Sequence, residues 1–206
     1  MVLKVGYERL GTGATAVGIK TKESVVLAAE KRVAYGGFVM SRAGRKVFQI
    51  KGRYGVAFAG LFADIQTLKR LLSVEIHGYE IENNRPISVH SAARLLSVIL
   101  YQYKFFPFLS EVIVGGIDSE GAHLYVMDAL GSLIEDDFAA IGTGAPVAIG
   151  IIENRYKKDL NPSYAEKLAV EAIKAAIRRD AVSGDGVDVI VLTPSGAKES
   201  TYTLSD

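Results

Sequence analysis

Two packed β-sheets, each covered on its outer face by helices, form the α+β architecture that this 206-residue sequence predicts, a four-layer α-β-β-α sandwich. Two observations point there. Segments with helical periodicity come in consecutive pairs instead of alternating singly with strands, which argues against a doubly wound parallel sheet. The apolar, β-branched runs also come in pairs, separated by short polar turns as in hairpins. No linker, repeat or low-complexity tract interrupts the chain. A single domain, residues 14–206, is therefore expected behind a short leader, residues 1–13.

The elements follow in order. After Gly11-Thr12-Gly13, apolar runs at residues 16–19 and 24–29 flank the polar turn Thr21-Lys22-Glu23 and predict a hairpin. Gly36, Gly37 and Gly44 punctuate the next stretch, and residues 47–50 and 56–59 form a second strand pair around Lys51-Gly52-Arg53. Ile65, Leu68, Leu72 and Ile76 then recur at helical spacing. A second helix follows Pro86 and Ser88, with Ala92, Leu95, Leu96 and Ile99 on its apolar face. Strands at 111–117 and 123–128 are joined by Asp118-Ser119-Glu120-Gly121. A third helix starts near Pro146, since proline suits a first turn. The fourth is expected to open on a capping box of Ser163 and Glu166 just after Pro162. Its apolar stripe is Ala165, Leu168, Ala172, Ile173, Ala176 and Ile177, and a last strand covers 188–192.

Composition excludes several function classes. Lysine and arginine number 24 against 23 aspartates and glutamates, mixed along the chain, so there is no basic footprint for nucleic acid or an anionic membrane. The chain has no cysteine, which rules out disulfides, zinc-thiolate sites and a cysteine nucleophile. That absence fits a reducing cytoplasm and hints at a hot habitat. His77, His90 and His123 are scattered, with no pair at metal-site spacing. No metal or organic cofactor is implied. The leader carries Lys4, Glu8 and Arg9 and lacks the apolar core of a signal peptide or a membrane span, so a soluble cytoplasmic protein is expected. The glycine-rich pieces Gly142-Thr143-Gly144 and Ser183-Gly184-Asp185-Gly186 lack the lysine and spacing of a phosphate-binding loop and read as turns. A binding module built on those turns is the remote alternative reading.

An ordered set of motifs carries a family likeness. Gly13-Ala14-Thr15-Ala16-Val17-Gly18-Ile19 resembles the Gly-Thr-Thr-Thr-Val-Gly-Ile start of proteasome β subunits, of the N-terminal-nucleophile hydrolase family. The likeness runs through Leu27-Ala28-Ala29-Glu30-Lys31-Arg32, Lys46-Val47-Phe48, Ala59-Gly60, Gly115-Gly116-Ile117-Asp118 and Ile141-Gly142-Thr143-Gly144. It ends with Arg179-Asp180-Ala181-Val182-Ser183-Gly184-Asp185-Gly186, so nearly the whole chain is covered. The short leader resembles that of archaeal β subunits rather than the helical extension of α-type subunits.

The resemblance implies a threonine peptidase acting on unfolded polypeptides. It also implies partners: α-type subunits, other β-type subunits in stacked heptameric rings, and a regulatory ATPase reached through the α ring. In such enzymes an N-terminal threonine hydroxyl attacks the scissile carbonyl. By resemblance Lys46 holds the local potential positive and Glu30, where the family usually has Asp, holds Lys46. Gly60 presents its N–H to the oxyanion, an interaction worth about 3–4 kcal/mol. Thr143, Asp180 and Ser183 resemble the group that orients the terminal amine and the lysine, with Thr143 standing where Ser is commoner. Val33, Gly44, Phe58 and Phe62 would line the pocket for the residue before the cut, and a bulky Phe58 at its base implies a shallow one. Taken alone, Lys46 and Glu30 read as solvated charges and Asp180 as an ordinary loop-starting residue.

In register with Val17-Gly18, the family's nucleophile position is Ala14, and Thr15 comes one residue late. Successive strand side chains point to opposite faces, so Thr15 should side with Val17 and Ile19, away from Lys46. Loss of a nucleophile typically costs on the order of a millionfold in turnover. Three accounts stand: a non-catalytic ring member, an engineered precursor, or an active enzyme in which a bulge lets Thr15 serve as nucleophile after leader removal. The strand-face argument favours the first.

Overall fold

In the computed structural model, which describes residues 13–204, β1 (Thr15–Lys20) pairs antiparallel with β2 (Val25–Glu30), closing the predicted hairpin. β3 (Val33–Tyr35) and β4 (Phe38–Ser41) form a separate two-stranded ribbon, followed by β5 (Val47–Ile50) and β6 (Tyr54–Gly60). The helices α1 (Phe62–Asn83) and α2 (Val89–Gln102) come next. Then follow β7 (Ser110–Asp118), β8 (Gly121–Met127), β9 (Ile134–Glu135) and β10 (Phe138–Gly142). α3 (Ala145–Arg155), α4 (Pro162–Ile177), β11 (Val187–Thr193) and β12 (Gly196–Tyr202) complete the order. Two five-stranded antiparallel sheets result, in the orders β10-β1-β2-β11-β12 and β5-β6-β7-β8-β9. The leader, residues 1–13, lies outside the described residues except for Gly13.

Three buried clusters make the four layers. Between the sheets lie Ala16, Val25, Leu27, Ala57, Ile113, Leu124 and Ile190. Val17, Ile19, Val26 and Ala28 face outward under α3 and α4, meeting Ala148, Leu168, Ala172 and Ile173. Val56, Phe58, Val112 and Val114 face outward on the other sheet, under Ile65, Leu68, Leu72 and Leu96 of α1 and α2. The strict alternation along β1 and β2 follows from the two-residue period of a strand. Small residues set the spacing between the sheets: a Cβ on Gly18 would lie 2.8 Å from Leu124, and one on Gly55 2.7 Å from Leu27.

The predicted α1 face is the observed one: Ile65, Leu68, Leu72 and Ile76 are all buried. Ser88 caps α2 by accepting from the Ser91 N–H. The face of α2 is rotated from the expected one, because Ala93 and Leu100 are buried while Leu95 and Ile99 are only half-buried. α3 carries Pro146 in its first turn, as expected. The predicted capping box of α4 is wrong by two residues. Asn161 is the cap and its side chain accepts from the Tyr164 N–H. Glu166 is instead buried, accepting from the Tyr202 hydroxyl at 2.8 Å and from Lys198 at 3.4 Å. Strands β3, β4, β9, β10 and β12 were not anticipated. Their runs are short, or polar on an exposed edge, as in the half-exposed Gly196–Tyr202.

Asn161→Ala is expected to lower stability by about 1 kcal/mol, whereas Ser163→Ala should change it by less than about 0.5 kcal/mol. Urea unfolding of the two variants checks which residue caps the helix.

Candidate active site

Two charged side chains are buried where β2 ends and β5 begins. Glu30 is 1% exposed and Lys46 2%. Lys46 Nζ donates to Glu30 Oε1 at 2.5 Å, to the Arg32 carbonyl at 2.5 Å and to the Glu30 carbonyl at 3.3 Å. Glu30 Oε2 accepts the backbone N–H of Arg32 at 2.7 Å and of Gly184 at 2.9 Å. Burial pushes the Glu30 carboxyl up and the Lys46 ammonium down, and each group opposes the other's shift. The hydrogen bonds satisfy both groups, which is what keeps such a pair tolerable away from water.

A second polar network adjoins the first. Asp180 Oδ2 accepts from Ser183 Oγ at 2.6 Å and from Thr143 Oγ1 at 2.5 Å. With its one proton given to Asp180, Ser183 Oγ accepts from Thr15 Oγ1 at 2.8 Å. The Thr143 N–H donates to the Ala14 carbonyl at 2.9 Å. Asp180 lies just past α4, which ends at Ile177 with Arg178 as its cap, and its N–H still reaches the Ala176 carbonyl. Ser183 and Gly184 are neighbours in the chain, so one short loop belongs to both networks.

The residues at the head of β1 take opposite sides. Ala14 is 1% exposed and packs in the inter-sheet core with Ala16 and Ala59. Thr15 is fully buried, and a Cβ on Gly144 at the start of α3 would lie 2.2 Å from its Oγ1. The hydroxyl thus lies by the helical layer, on the face of Val17 and Ile19, and contacts Ser183 instead of Lys46.

Gly60 ends β6 at φ 142, a conformation that favours glycine, and a Cβ there would lie 2.0 Å from the Leu109 carbonyl oxygen. It borders two cavities. One, of about 410 Å³, also touches Ala14, Ser110, Glu111 and Thr143. The other, of about 10 Å³, touches Lys46, Val33 and Phe62. Val33 and Phe62 also flank Gly44, whose Cβ would lie 2.2 Å from Val33 and 3.3 Å from Phe62. Phe58 is fully buried in the core under α1, edge-on to Phe48, and Phe62 packs against that same cluster.

A family model described as a proteasome subunit matches residues 10–192. "Proteasome subunit beta 1" of Hyperthermus butylicus is 60% identical over 91% of this chain and 92% of its own length. "Proteasome subunit beta 2" of Pyrobaculum calidifontis is 55% identical over 96% of this chain and 97% of its own. "Proteasome subunit beta 2" of Thermofilum pendens is 50% identical over 93% and 94%. The chain belongs to the proteasome family, as a β-type subunit. The β-subunit family is one of threonine peptidases, and its members work within an assembly of proteasome subunits. Among the described residues of this β subunit no helix is long and apolar enough to cross a membrane.

The sequence does not single out two side chains that the structure places beside these networks. Arg32 lies in the motif that contains Glu30, yet its side chain goes to Asp185, with Nε 2.8 Å from Oδ2. Glu111 stands at the cavity beside Ala14, its Oε2 accepting the Gly142 N–H at 2.7 Å. An exposed charge at the head of an otherwise apolar strand was the signal available for it.

Glu30→Gln leaves the buried Lys46 ammonium without its counter-charge and should cost about 3–5 kcal/mol. The double variant Glu30→Gln/Lys46→Met should cost less than the sum of the single changes, as a urea-unfolding cycle would report. A further expectation concerns acid. The Arg32 hydrogen bond holds the Asp185 carboxyl below its ordinary range. A depressed carboxyl contributes stability at neutral pH that is lost as pH falls through the folded-state value. Arg32→Gln should therefore lower stability at pH 7 and flatten the loss between pH 4 and the depressed value, seen by unfolding at a series of pH values.

Proposed function

We propose that this chain is a non-catalytic β-type ring member of a 20S-like proteasome, one that keeps its leader and supports a particle whose cutting is done by a sister β chain. The observation that carries the reading is the head of β1. Ala14 fills the position facing Lys46 and Gly60 by resemblance, and an alanine has no hydroxyl to attack a carbonyl or release a leader. Thr15 supplies a hydroxyl on the other face of the strand, already engaged by Ser183. The numbered names of the relatives, beta 1 and beta 2, fit a family in which sister β chains occur. The particle would stack heptameric β rings on α-type rings in the cytoplasm and take unfolded polypeptides delivered by a regulatory ATPase. In this reading Lys46, Glu30, Gly60, Thr143, Asp180 and Ser183 hold the strand ends together and perform no chemistry.

One observation favours a second reading. The Thr15 hydroxyl is itself a member of the Asp180–Ser183 network, so a shift of one residue at the head of β1 would deliver a polarised hydroxyl as nucleophile. The intact mass of this subunit from particles of its native host separates the two. A chain that retains the leader supports the non-catalytic reading, and a chain beginning at Thr15 overturns it. As a gain-of-function counterpart, Ala14→Thr in reconstituted particles should remove residues 1–13 and raise hydrolysis of small apolar peptides by at least about a thousandfold over the parent. Thr15→Ala should leave the parent's activity unchanged.

A further inference from the structure

The cavity of about 410 Å³ on the Glu111 side of Ala14 is distinct from the small one at Val33 and Phe62, although Gly13 and Gly60 border both. Its wall is mostly small residues and backbone: Ala14, Ala59, Gly60, Ala129 and Gly142. Such a wall admits an extended chain and a long side chain without steric selection. The charge in it is one-sided. Glu111 is exposed on the cavity, and its Oε2 is fixed by the Gly142 N–H at 2.7 Å. Among the described residues no lysine or arginine lies within ion-pair distance of it, although Glu30, Glu80, Asp185 and Asp188 are all paired with cations. A second carboxylate, Asp180, stands directly behind Thr143, 2.5 Å from the Thr143 hydroxyl. The cavity's cationic neighbour, Lys46, lies across Gly60 with its charge taken up by Glu30. Among the described residues the charge facing the cavity is therefore negative, with one carboxylate oriented by a backbone donor at Oε2.

We propose that this cavity is a polypeptide subsite that selects a lysine or arginine side chain, with Glu111 as the selecting group. The proposal deepens the non-catalytic reading and rests on it in one respect: a subunit that cannot cut would hold a basic stretch of unfolded polypeptide at this subsite without consuming it. The occupant is cationic because an uncompensated, preoriented carboxylate in a partly enclosed site favours a charged donor and repels an acidic one. A long flexible side chain suits this wall, since its stem can pack on the alanines while its head reaches Glu111.

The test uses reconstituted particles with this chain as the sole β type and two fluorescein-labelled hexapeptides, Ala-Ala-Leu-Lys-Ala-Ala and Ala-Ala-Leu-Glu-Ala-Ala. Fluorescence anisotropy should give the lysine peptide a Kd about tenfold lower than the glutamate peptide. Glu111→Gln keeps an acceptor for the Gly142 N–H, so the fold should survive, as an unchanged melting curve would verify. In that variant the preference should fall to about onefold. Equal affinities in the parent, a preference that survives Glu111→Gln, or no binding of either peptide at millimolar concentration overturns the proposal. Mass spectrometry of the peptides guards the underlying reading. If they are cut, the non-catalytic reading fails, and the lysine-to-glutamate ratio of kcat/KM then decides the subsite proposal by the same criterion.

Discussion

Glu30 and Lys46 are charges taken out of water, and much of the surrounding backbone is arranged around satisfying them. An isolated buried ion costs several kcal/mol, and a pair is tolerated only when its remaining donors and acceptors are also met. Here those partners come from separated segments: the Arg32 carbonyl and N–H after β2, and the Gly184 N–H before β11. The pair thus holds the segment leading into β5, the end of β2 and the loop after α4 at one place. The Asp180–Ser183–Thr143 network is anchored by the same loop, and it in turn fixes the Ala14 carbonyl through the Thr143 N–H.

The head of β1 shows how strand alternation decides which layer a side chain joins. Its position between β2 and β10 is fixed on both sides, with Thr15 opposite Gly142 and Ala16 opposite both Ile141 and Ala29. A strand held by two ladders does not slip, because a one-residue shift would send Val17 and Ile19 into the space between the sheets and bring Ala16 and Gly18 under the helices. The hydroxyl of Thr15 is therefore held on the helical side by the same alternation that builds the two cores.

Much of the fold was legible because its signals were local. The alternation in β1 and β2, the four-residue face of α1 and the start of α2 after Pro86 and Ser88 depend on nearby residues only. Where tertiary packing set the outcome, the sequence misled. Glu166 has the spacing of a capping residue after Ser163, but the Tyr202 hydroxyl of a distant strand competes for it and Asn161 takes the cap. β12 was hidden because an edge strand needs only backbone pairing, and its exposed side chains carry no period-two apolar signal. For the candidate site, Glu30, Lys46, Asp180 and Ser183 stand in the motifs that carry the family likeness, and the structure brings the Thr143 and Ser183 hydroxyls and the Val182 N–H to Asp180. Glu111 was not legible, since its meeting with Gly142 depends on how the β7 end of one sheet lies over the β10 edge of the other. The resemblance groups Phe58 with Val33, Gly44 and Phe62, and the even-numbered face of β6 puts Phe58 in the core under α1, against which Phe62 also packs.

Gly60 carries a consequence for how such a chain drifts over generations. Its backbone conformation and the closeness of the Leu109 carbonyl exclude a Cβ, so most substitutions there damage the sandwich whether or not the chain performs chemistry. The same holds for the buried Lys46 and Glu30, where replacing either one strands the other. Purifying pressure on folding alone is then enough to preserve a backbone donor and a positioned lysine beside an alanine. In the proposed non-catalytic reading, one exchange at the head of β1 silences the chain while selection for folding keeps the surrounding residues in place, which leaves the way back to activity short.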